Sequence, residues 1–483
     1  MKPFLSKSKL MSARQCLKRL HLETRRPELK VISASTEAAF EIGHRVGDVA
    51  KQIYGTDEAI FIPYEGGLSH ALKKTARLVK AGPAFPIFEA TFQHDGVLVR
   101  VDALMPDGDG WQIVEVKAST SVKDEHAFDC AVQAWVFQGT GHRLTGISLA
   151  HVDNTFVYEG DGDYQGLLIE ADMAEDVSHL MPAVPEAVRE ARDAAAGDEP
   201  DIPVGQHCFE PYECPFISYC WPMDTEYPVL GLAGSKEKLG EFVSQGFRDV
   251  RDVPASQLTG KQQRIQRVTA SGQPELLPGA SGFVADFAYP RYYLDFETIM
   301  PSVPIWAGTR PYETLPIQWS CHYESAPGTI EHAEFLDLTG DPPMRRLAES
   351  LIRALGAEGP VLMYTPYEKR MINGLAERYP DLEPSLTAIV DRLVDLAPVA
   401  RDNYYHPEMR GSWSLKAVLP TIAADMQYSE LVGIQEGTAA SEGYIEAIDP
   451  GTSAERKAEL REQLLRYCEF DTQAMVRLVQ FLG

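Results

Sequence analysis

Three groups of residues have the types and spacing to do chemistry. The first lies in the stretch 99–120, VRVDALMPDGDGWQIVEVKAST. Its pattern predicts strands over 99–104 and 112–117 around a turn, Pro106-Asp107-Gly108-Asp109-Gly110, since Pro fixes φ and Gly tolerates positive φ. Strand alternation puts Glu115 and Lys117 on one face and Val114 and Val116 on the other. In-register pairing brings Asp102 beside them. Two carboxylates and a lysine so placed can hold a divalent cation and an ammonium around a water. That is a phosphodiester hydrolysis site, where a metal polarises phosphate and lowers the pKa of water. The short spacing taken by itself also fits a solvated surface hairpin.

The second group is cysteine. In His207-Cys208-Phe209-Glu210-Pro211-Tyr212-Glu213-Cys214-Pro215-Phe216-Ile217-Ser218-Tyr219-Cys220-Trp221, three cysteines recur every six residues among prolines and aromatics. Zinc sites use closer C-x(2–4)-C pairs. Three clustered thiols and one remote one point instead to an iron–sulfur cluster, with Cys16 as the fourth ligand. Cys130, Cys321 and Cys468 sit in apolar contexts and read as core.

The third group is acidic. Arg291-Tyr292-Tyr293-Leu294-Asp295-Phe296-Glu297-Thr298 predicts a strand with Asp295 and Glu297 on one face. Glu368 opens a helix after the apolar strand Val361-Leu362-Met363-Tyr364. Tyr467 and Asp471 stand four apart on a helix predicted over 465–482, hence on one face.

Composition bounds these readings. The chain has 483 residues, enough for about three domains. It is 44% hydrophobic and 24% charged, without a membrane-length apolar run, and the residues after Met1 lack a secretory apolar core. A cytoplasmic protein is expected. A net charge of −25 argues against a non-specific nucleic-acid coat but not against a nuclease, whose sites are themselves acidic. No Walker-type loop encodes ATP-driven unwinding.

Helices are predicted over 6–22, 35–54, 69–81 and 124–138, the last with Asp129, Gln133 and Phe137 on one face. Strands are predicted over 87–92, 144–151 and 155–158, then an acidic helix over 173–196. Between about 229 and 285, helices start at Ser235 and Lys261. Lys261, Arg264 and Arg267 there read either as contacts to a DNA backbone or as part of a structural spacer. His332 and His406 read as loop or surface residues.

Cys16, Glu89, Asp102, Glu115-Val116-Lys117, Gln133, Cys208, Cys214 and Cys220 together resemble the RecB-like PD-(D/E)XK nucleases with an iron–sulfur clasp, among them CRISPR-associated adaptation exonucleases. The resemblance implies a [4Fe-4S] cluster on Cys16, Cys208, Cys214 and Cys220. It implies Mg2+ or Mn2+ on Asp102 and Glu115, a catalytic Lys117, and Gln133 in a Q-x-x-x-Y motif whose Tyr is here Phe137. Where those relatives carry G-x-x-x-H, this chain has Gly43 and Gly47, with His44 out of register.

The order Asp295-x-Glu297, Glu368, Val394-Asp395-Leu396, Ser414-Leu415-Lys416 and Tyr467-x-x-x-Asp471 resembles the DnaQ-like exonucleases, of ribonuclease H-like fold. It implies that Asp295, Glu297, Glu368 (Asp in those relatives) and Asp471 bind two metals and that Tyr467 orients the attacking water. The expected protein is thus α/β throughout. Residues 1–228 form a nuclease domain with an iron–sulfur clasp, 229–285 a small helical module and 286–483 an exonuclease domain. The chain resembles an uncharacterised bacterial family with this fusion. Its expected function is a metal-dependent DNA nuclease acting on single strands or ends in repair, recombination or defence, with a helicase or another such protein as partner. The alternatives are a non-catalytic binder of nucleic-acid ends or partner proteins, and an RNA exonuclease.

Overall fold

The computed structural model describes residues 4–63 and 65–483. The chain is mixed α/β and divides into two compact units. One comprises Met1–Trp221, Ser235–Ser244 and Pro301–Glu313; the other comprises Pro222–Gly234, Gln245–Met300 and Thr314–Gly483. The segment 229–285 is therefore shared between them.

The first unit is built on a sheet of β1 (Leu5–Ser6), β2 (Ile60–Phe61), β3 (Ile87–His94), β4 (Val97–Asp107), β5 (Gly110–Lys117), β6 (Leu144–Val152) and β7 (Leu168–Asp172). The path runs β2-β3-β4-β5-β6-β7, with β1 on β4. The predicted hairpin is present as β4–β5, closed at Asp107↔Gly110 with Gly108 at φ +57°. Its ladder stops at Ala103↔Val114. Beyond that point β4 and β5 part. β5 continues along β6, while β1 pairs with β4 at Val97 and Leu98.

Into this fork lead helices α1 (Lys7–Gln15) and α2 (Leu17–Arg25), and beside it run α3 (Ala34–Tyr54), α4 (Leu68–Lys80) and α5 (Asp124–Gly139). The single helix expected over 6–22 is broken at Cys16, whose backbone is extended (φ −165°, ψ 121°). The acidic helix expected over 173–196 is likewise interrupted by a 3-10 turn at Met181–Ala183, where Pro182 withholds an N–H. No strand forms over 155–158; the edge strand is β7 instead. α5 is buried along most of its length, from His126 to Phe137 apart from Trp135. Its polar members Asp129 and Gln133 must therefore find partners inside the protein.

α6 (Lys236–Ser244) joins this unit through Gly240. A Cβ there would lie 2.2 Å from the Val204 carbonyl oxygen and 3.0 Å from the Gly205 Cα. Glycine permits the contact.

The second unit carries β8 (Glu275–Leu276), β9 (Arg291–Ile299), β10 (Leu315–Ala326), β11 (Thr329–Leu336), β12 (Val361–Met363), β13 (Leu393–Asp395) and β14 (Tyr404–Tyr405). The main sheet runs β11-β10-β9-β12-β13. The first three strands are antiparallel, and β12 and β13 are parallel to β9. Asp295 pairs with Ser320 and Glu297 with Gln318. Helices α7 (Met344–Leu355), α8 (Tyr367–Arg378), α9 (Leu415–Ile422) and α10 (Ala454–Leu482) cover the sheet, α10 lying on β9 and β10. α10 begins eleven residues earlier than predicted, at the Ser453 N-cap, whose side chain accepts from Arg456 N.

Gly240→Ala is expected to lower the thermal midpoint, since backbone cannot yield to the new methyl. Gly374→Ala is expected to raise stability by about 1 kcal/mol, because it sits in α8 with open space around its Cβ. Scanning calorimetry of both variants separates the two; equal shifts would contradict the close-approach argument.

Candidate functional sites

The first site occupies the fork between β4 and β5. Val116 N–H, left without a ladder partner on β4, donates to Asp102 Oδ2 at 2.8 Å. The aspartate thereby anchors the strand end, and it lines a cavity of about 440 Å³ together with Gly43, His44, Gly47 and Glu89. Glu89 stands in β3 between the pairs Phe88↔Ala103 and Ala90↔Val101, in the row of Asp102, and its φ is +59°. A left-handed backbone at a non-glycine residue is uncommon and concentrates at functional positions. The Glu89 carboxylate lies 3.1 Å from Arg100 Nη2.

Glu115, 1% exposed, is the hub. Lys117 Nζ donates to its Oε1 at 2.6 Å and Gln133 Nε2 to its Oε2 at 2.6 Å. The structure thus joins Asp102, Glu115, Lys117 and Gln133. It adds two residues not expected at the site. Asp129 accepts from Lys117 at 2.7 Å and from Gln133 at 3.2 Å. Lys7 lies 2.7 Å from Glu115 Oε1 and 2.9 Å from Asp129 Oδ1. Asp129 was visible as the residue one turn before Gln133; nothing in the sequence around Lys7 marks it. Phe137, on the same helix face, is core and stacks edge-on with Phe92. Burial, and secondarily the Glu115 charge, push the Asp102 carboxyl up to about 8. Burial pushes Glu115 the same way, but Lys117 and Lys7 outweigh it and hold Glu115 well below the usual carboxylate range.

Cys16, Cys208, Cys214 and Cys220 line one pocket, with Leu22, Ile202, Phe216 and Ile217 as apolar walls and Lys18 and Arg19 at its edge. The break at Cys16 brings that thiol out of the helix pair. Burial pushes Cys214 up to about 11 and Cys220 to about 12. Among the described residues, the one set of three His, Cys, Asp or Glu donors within 4.8 Å of one another lies elsewhere. No three of the four sulfurs lie within that distance of one another.

That set is Asp295, Glu297 and Cys468, at the second site. Cys468 is buried as expected, yet its Sγ lies 3.6 Å from Asp295 Oδ2. Asp295 and Glu297 project from β9 toward α10, which supplies Tyr467, Cys468 and Asp471. Tyr428 donates to Asp471 Oδ1. Glu368, 2% exposed, enters from the first turn of α8, and its Oε2 is buried without a hydrogen-bond partner. Asp395 is occupied as a cap, accepting from Thr365 N at 3.0 Å and Ala397 N at 2.9 Å. Exposed Lys416 sits over the Tyr428 and Tyr467 rings, 5.2 and 5.3 Å from their centroids. Tyr428, outside the sequence motif, opens a 3-10 turn (Tyr428–Glu430).

Burial, then repulsion from Asp471, drives Asp295 and Glu297 well above their usual range. Burial pushes Glu368 up to about 8. It pushes Asp471 up to about 6, against the Tyr428 hydroxyl and Lys416.

Arg264 and Arg267 both pair with Glu275, and Lys261 sits 4.8 Å over the Trp413 ring, so these cations are engaged within the chain. His332 is exposed, as expected, but on β11 rather than in a loop, its Nε2 2.8 Å from Ser320 Oγ and its ring tilted against that of His322. His406 caps a 3-10 turn, accepting from Glu408 N.

A family model described as a domain of unknown function (DUF2779) matches residues 292–414. The match includes Asp295, Glu297 and Glu368 and ends before Asp471. No curated protein matches the chain. Among solved structures it is similar to one titled "Crystal structure of SSO0001", at 14% identity and a TM-score of 0.25, over 45% of this chain and 85% of that one.

An acid whose folded pKa is raised holds its proton more tightly when folded. Its stabilisation is complete below the unfolded value of about 4 and is lost as pH rises through the folded value. With chelator present, the thermal midpoint is expected to fall as pH rises through about 6 for Asp471 and about 8 for Glu368. Glu368→Gln, which mimics the protonated acid, should flatten the upper part of that fall. Identical pH profiles for the variant and the parent chain would contradict the assignment.

Proposed function

We propose that the chain is a metal-dependent nuclease hydrolysing phosphodiester bonds of DNA, with a PD-(D/E)XK-like first unit and a ribonuclease H-like second unit. The observation that carries this reading is the second site. Four acids from β9, α8 and α10 converge, all with raised pKa values, and the nearby Lys416 is exposed and seated on aromatic rings. Such a cluster needs protons or cations. Carboxylate oxygens from three elements are the donor set of Mg2+ or Mn2+.

When bound, divalent metal would activate water and stabilise charge on the phosphate. Asp295, Glu297, Glu368 and Asp471 would hold it. Tyr428 fixes one Asp471 oxygen. Tyr467, 4% exposed and facing the same acids, is placed to donate a hydrogen bond to a water among them. In the first unit, Asp102 and Glu115 are the candidate ligands, and Lys117 holds a proton within reach of a water above Glu115.

The cysteine pocket supports a [4Fe-4S] cluster by its donor set. Four thiols and no other metal-binding side chain except the neighbouring His207 line it. The clasp would tie the α1–α2 break to the 208–220 loop.

One observation favours a second reading, in which the first site is a binding module. Glu115 is already met by three donors. RNA as substrate is a third outcome of the same experiment. No helix among the described residues is long and apolar enough to cross a membrane.

End-labelled single-stranded DNA and a matched RNA are digested with Mg2+ or Mn2+ by the parent chain, Lys117→Ala, Asp295→Asn and the double variant. Asp295→Asn is expected to lower cleavage by about 10²-fold or more, on the scale of losing a catalytic group. Loss in Lys117→Ala as well would give two working centres; retention would make the first unit a binding platform. Absence of cleavage by the iron-loaded parent chain on both substrates contradicts the proposal.

A further inference from the structure

Lys7 is the first residue of α1 and follows directly on β1. Because β1 pairs with β4 on the side that β5 has left, the chain delivers Lys7 into the fork. Its Nζ lies 2.7 Å from Glu115 Oε1 and 2.9 Å from Asp129 Oδ1. Lys117 bridges the same two carboxylates from the other side, at 2.6 and 2.7 Å. A carboxylate oxygen has about two lone-pair positions. Both positions on Glu115 Oε1 therefore point at ammonium groups, and one on Oε2 is taken by Gln133.

A divalent ion and an ammonium compete for the same lone pairs and repel each other at short range. Of the two lysines, Lys117 belongs to β5, paired there with His151 of β6 and on the same strand face as Glu115. Lys7 is a flexible stem on a helix start that Ser6 caps through Lys9 N at 3.3 Å, so its side chain can swing away without disturbing the backbone.

We infer that Lys7 is a tethered cation standing in the coordination position between Glu115 and Asp129, and that a divalent ion takes that position only as Lys7 withdraws. The inference rests on the metal reading of that site proposed above. It makes Asp129 a carboxylate available to the ion once Lys7 has left. It also makes metal occupancy of the first site depend on where the first turn of α1 holds its lysine. Were Lys7 instead a positioning residue that keeps the two carboxylates in place for metal, its loss would weaken metal binding.

The test uses the full chain carrying Asp295→Asn and Asp471→Asn, so that the second site is disabled. Mn2+ binding is titrated by calorimetry and by the electron paramagnetic resonance of free Mn2+, with Lys7 and with Lys7→Met, Lys7→Gln and Lys7→Arg. Lys7→Met and Lys7→Gln are expected to bind Mn2+ at least ~10-fold more tightly, since each removes a unit charge in contact with the ligands. Lys7→Arg is expected to stay near the lysine value. Lys7→Gln keeps a donor at Glu115 and removes only the charge, so it serves if Lys7→Met fails to fold. Unchanged or weaker Mn2+ binding in the neutral variants overturns Lys7 as competitor and leaves the metal reading standing. No Mn2+ bound at millimolar concentration by any variant overturns both.

Discussion

A carboxylate taken out of water must find a proton or a cation, and the two sites of this chain meet that demand in opposite ways. In the first, Glu115 and Asp129 are matched by Lys7 and Lys117, two charges against two, with hydrogen bonds closing the ring. In the second, Asp295, Glu297, Glu368 and Asp471 converge with a single exposed lysine nearby. Balanced charge is stable while intact; removing one member of a buried pair typically costs about 3–5 kcal/mol. The second cluster is stable only with its protons kept or with a multivalent cation. Readiness for metal therefore differs between the sites for electrostatic reasons, although both are assembled from the same residue types.

Backbone geometry makes the first cluster possible. Had β4 and β5 stayed paired past Ala103↔Val114, Val116 N–H would bond to a carbonyl and Asp102 would be an ordinary strand residue. The strands part instead. The aspartate replaces the missing acceptor, Glu89 adopts a left-handed backbone beside it, and β1 fills the vacated side of β4 with Lys7 at its end. The second cluster depends on a helix rather than a fork. α10 lies across β9 so that Tyr467, Cys468 and Asp471 face the Asp295–Glu297 row, and Tyr428 reaches Asp471 from a 3-10 turn.

Strand alternation made Glu115 with Lys117, and Asp295 with Glu297, legible from sequence, because a period of two needs no tertiary knowledge. Helical spacing did the same for Gln133 and for Tyr467 with Asp471. Lys7, Asp129, Tyr428 and Lys416 were not read as site residues. Lys7 and Tyr428 reach their sites through long-range packing, and Asp129 was placed on the Gln133 face of its helix without a role. The boundaries failed where local chemistry interrupts a period. Cys16 adopts extended backbone inside a helical pattern, and Pro182 breaks a helix whose charge pattern runs on unbroken. Strand β7 was missed because none of its residues is buried and most are exposed, so it carries no apolar alternation. The division into units was also hidden. Gly240 sends one helix of the middle segment to the first unit, a consequence of one close backbone contact.

The central claim is that converging acids and converging thiols are cation sites of different kinds. The most direct measurement is anomalous diffraction from crystals of anaerobically purified protein grown with Mn2+, recorded at the manganese and iron edges. The account predicts manganese density among Asp295, Glu297, Glu368 and Asp471, and iron density among Cys16, Cys208, Cys214 and Cys220. Absence of manganese from the four acids would contradict it, as would a single zinc in place of iron between the cysteines.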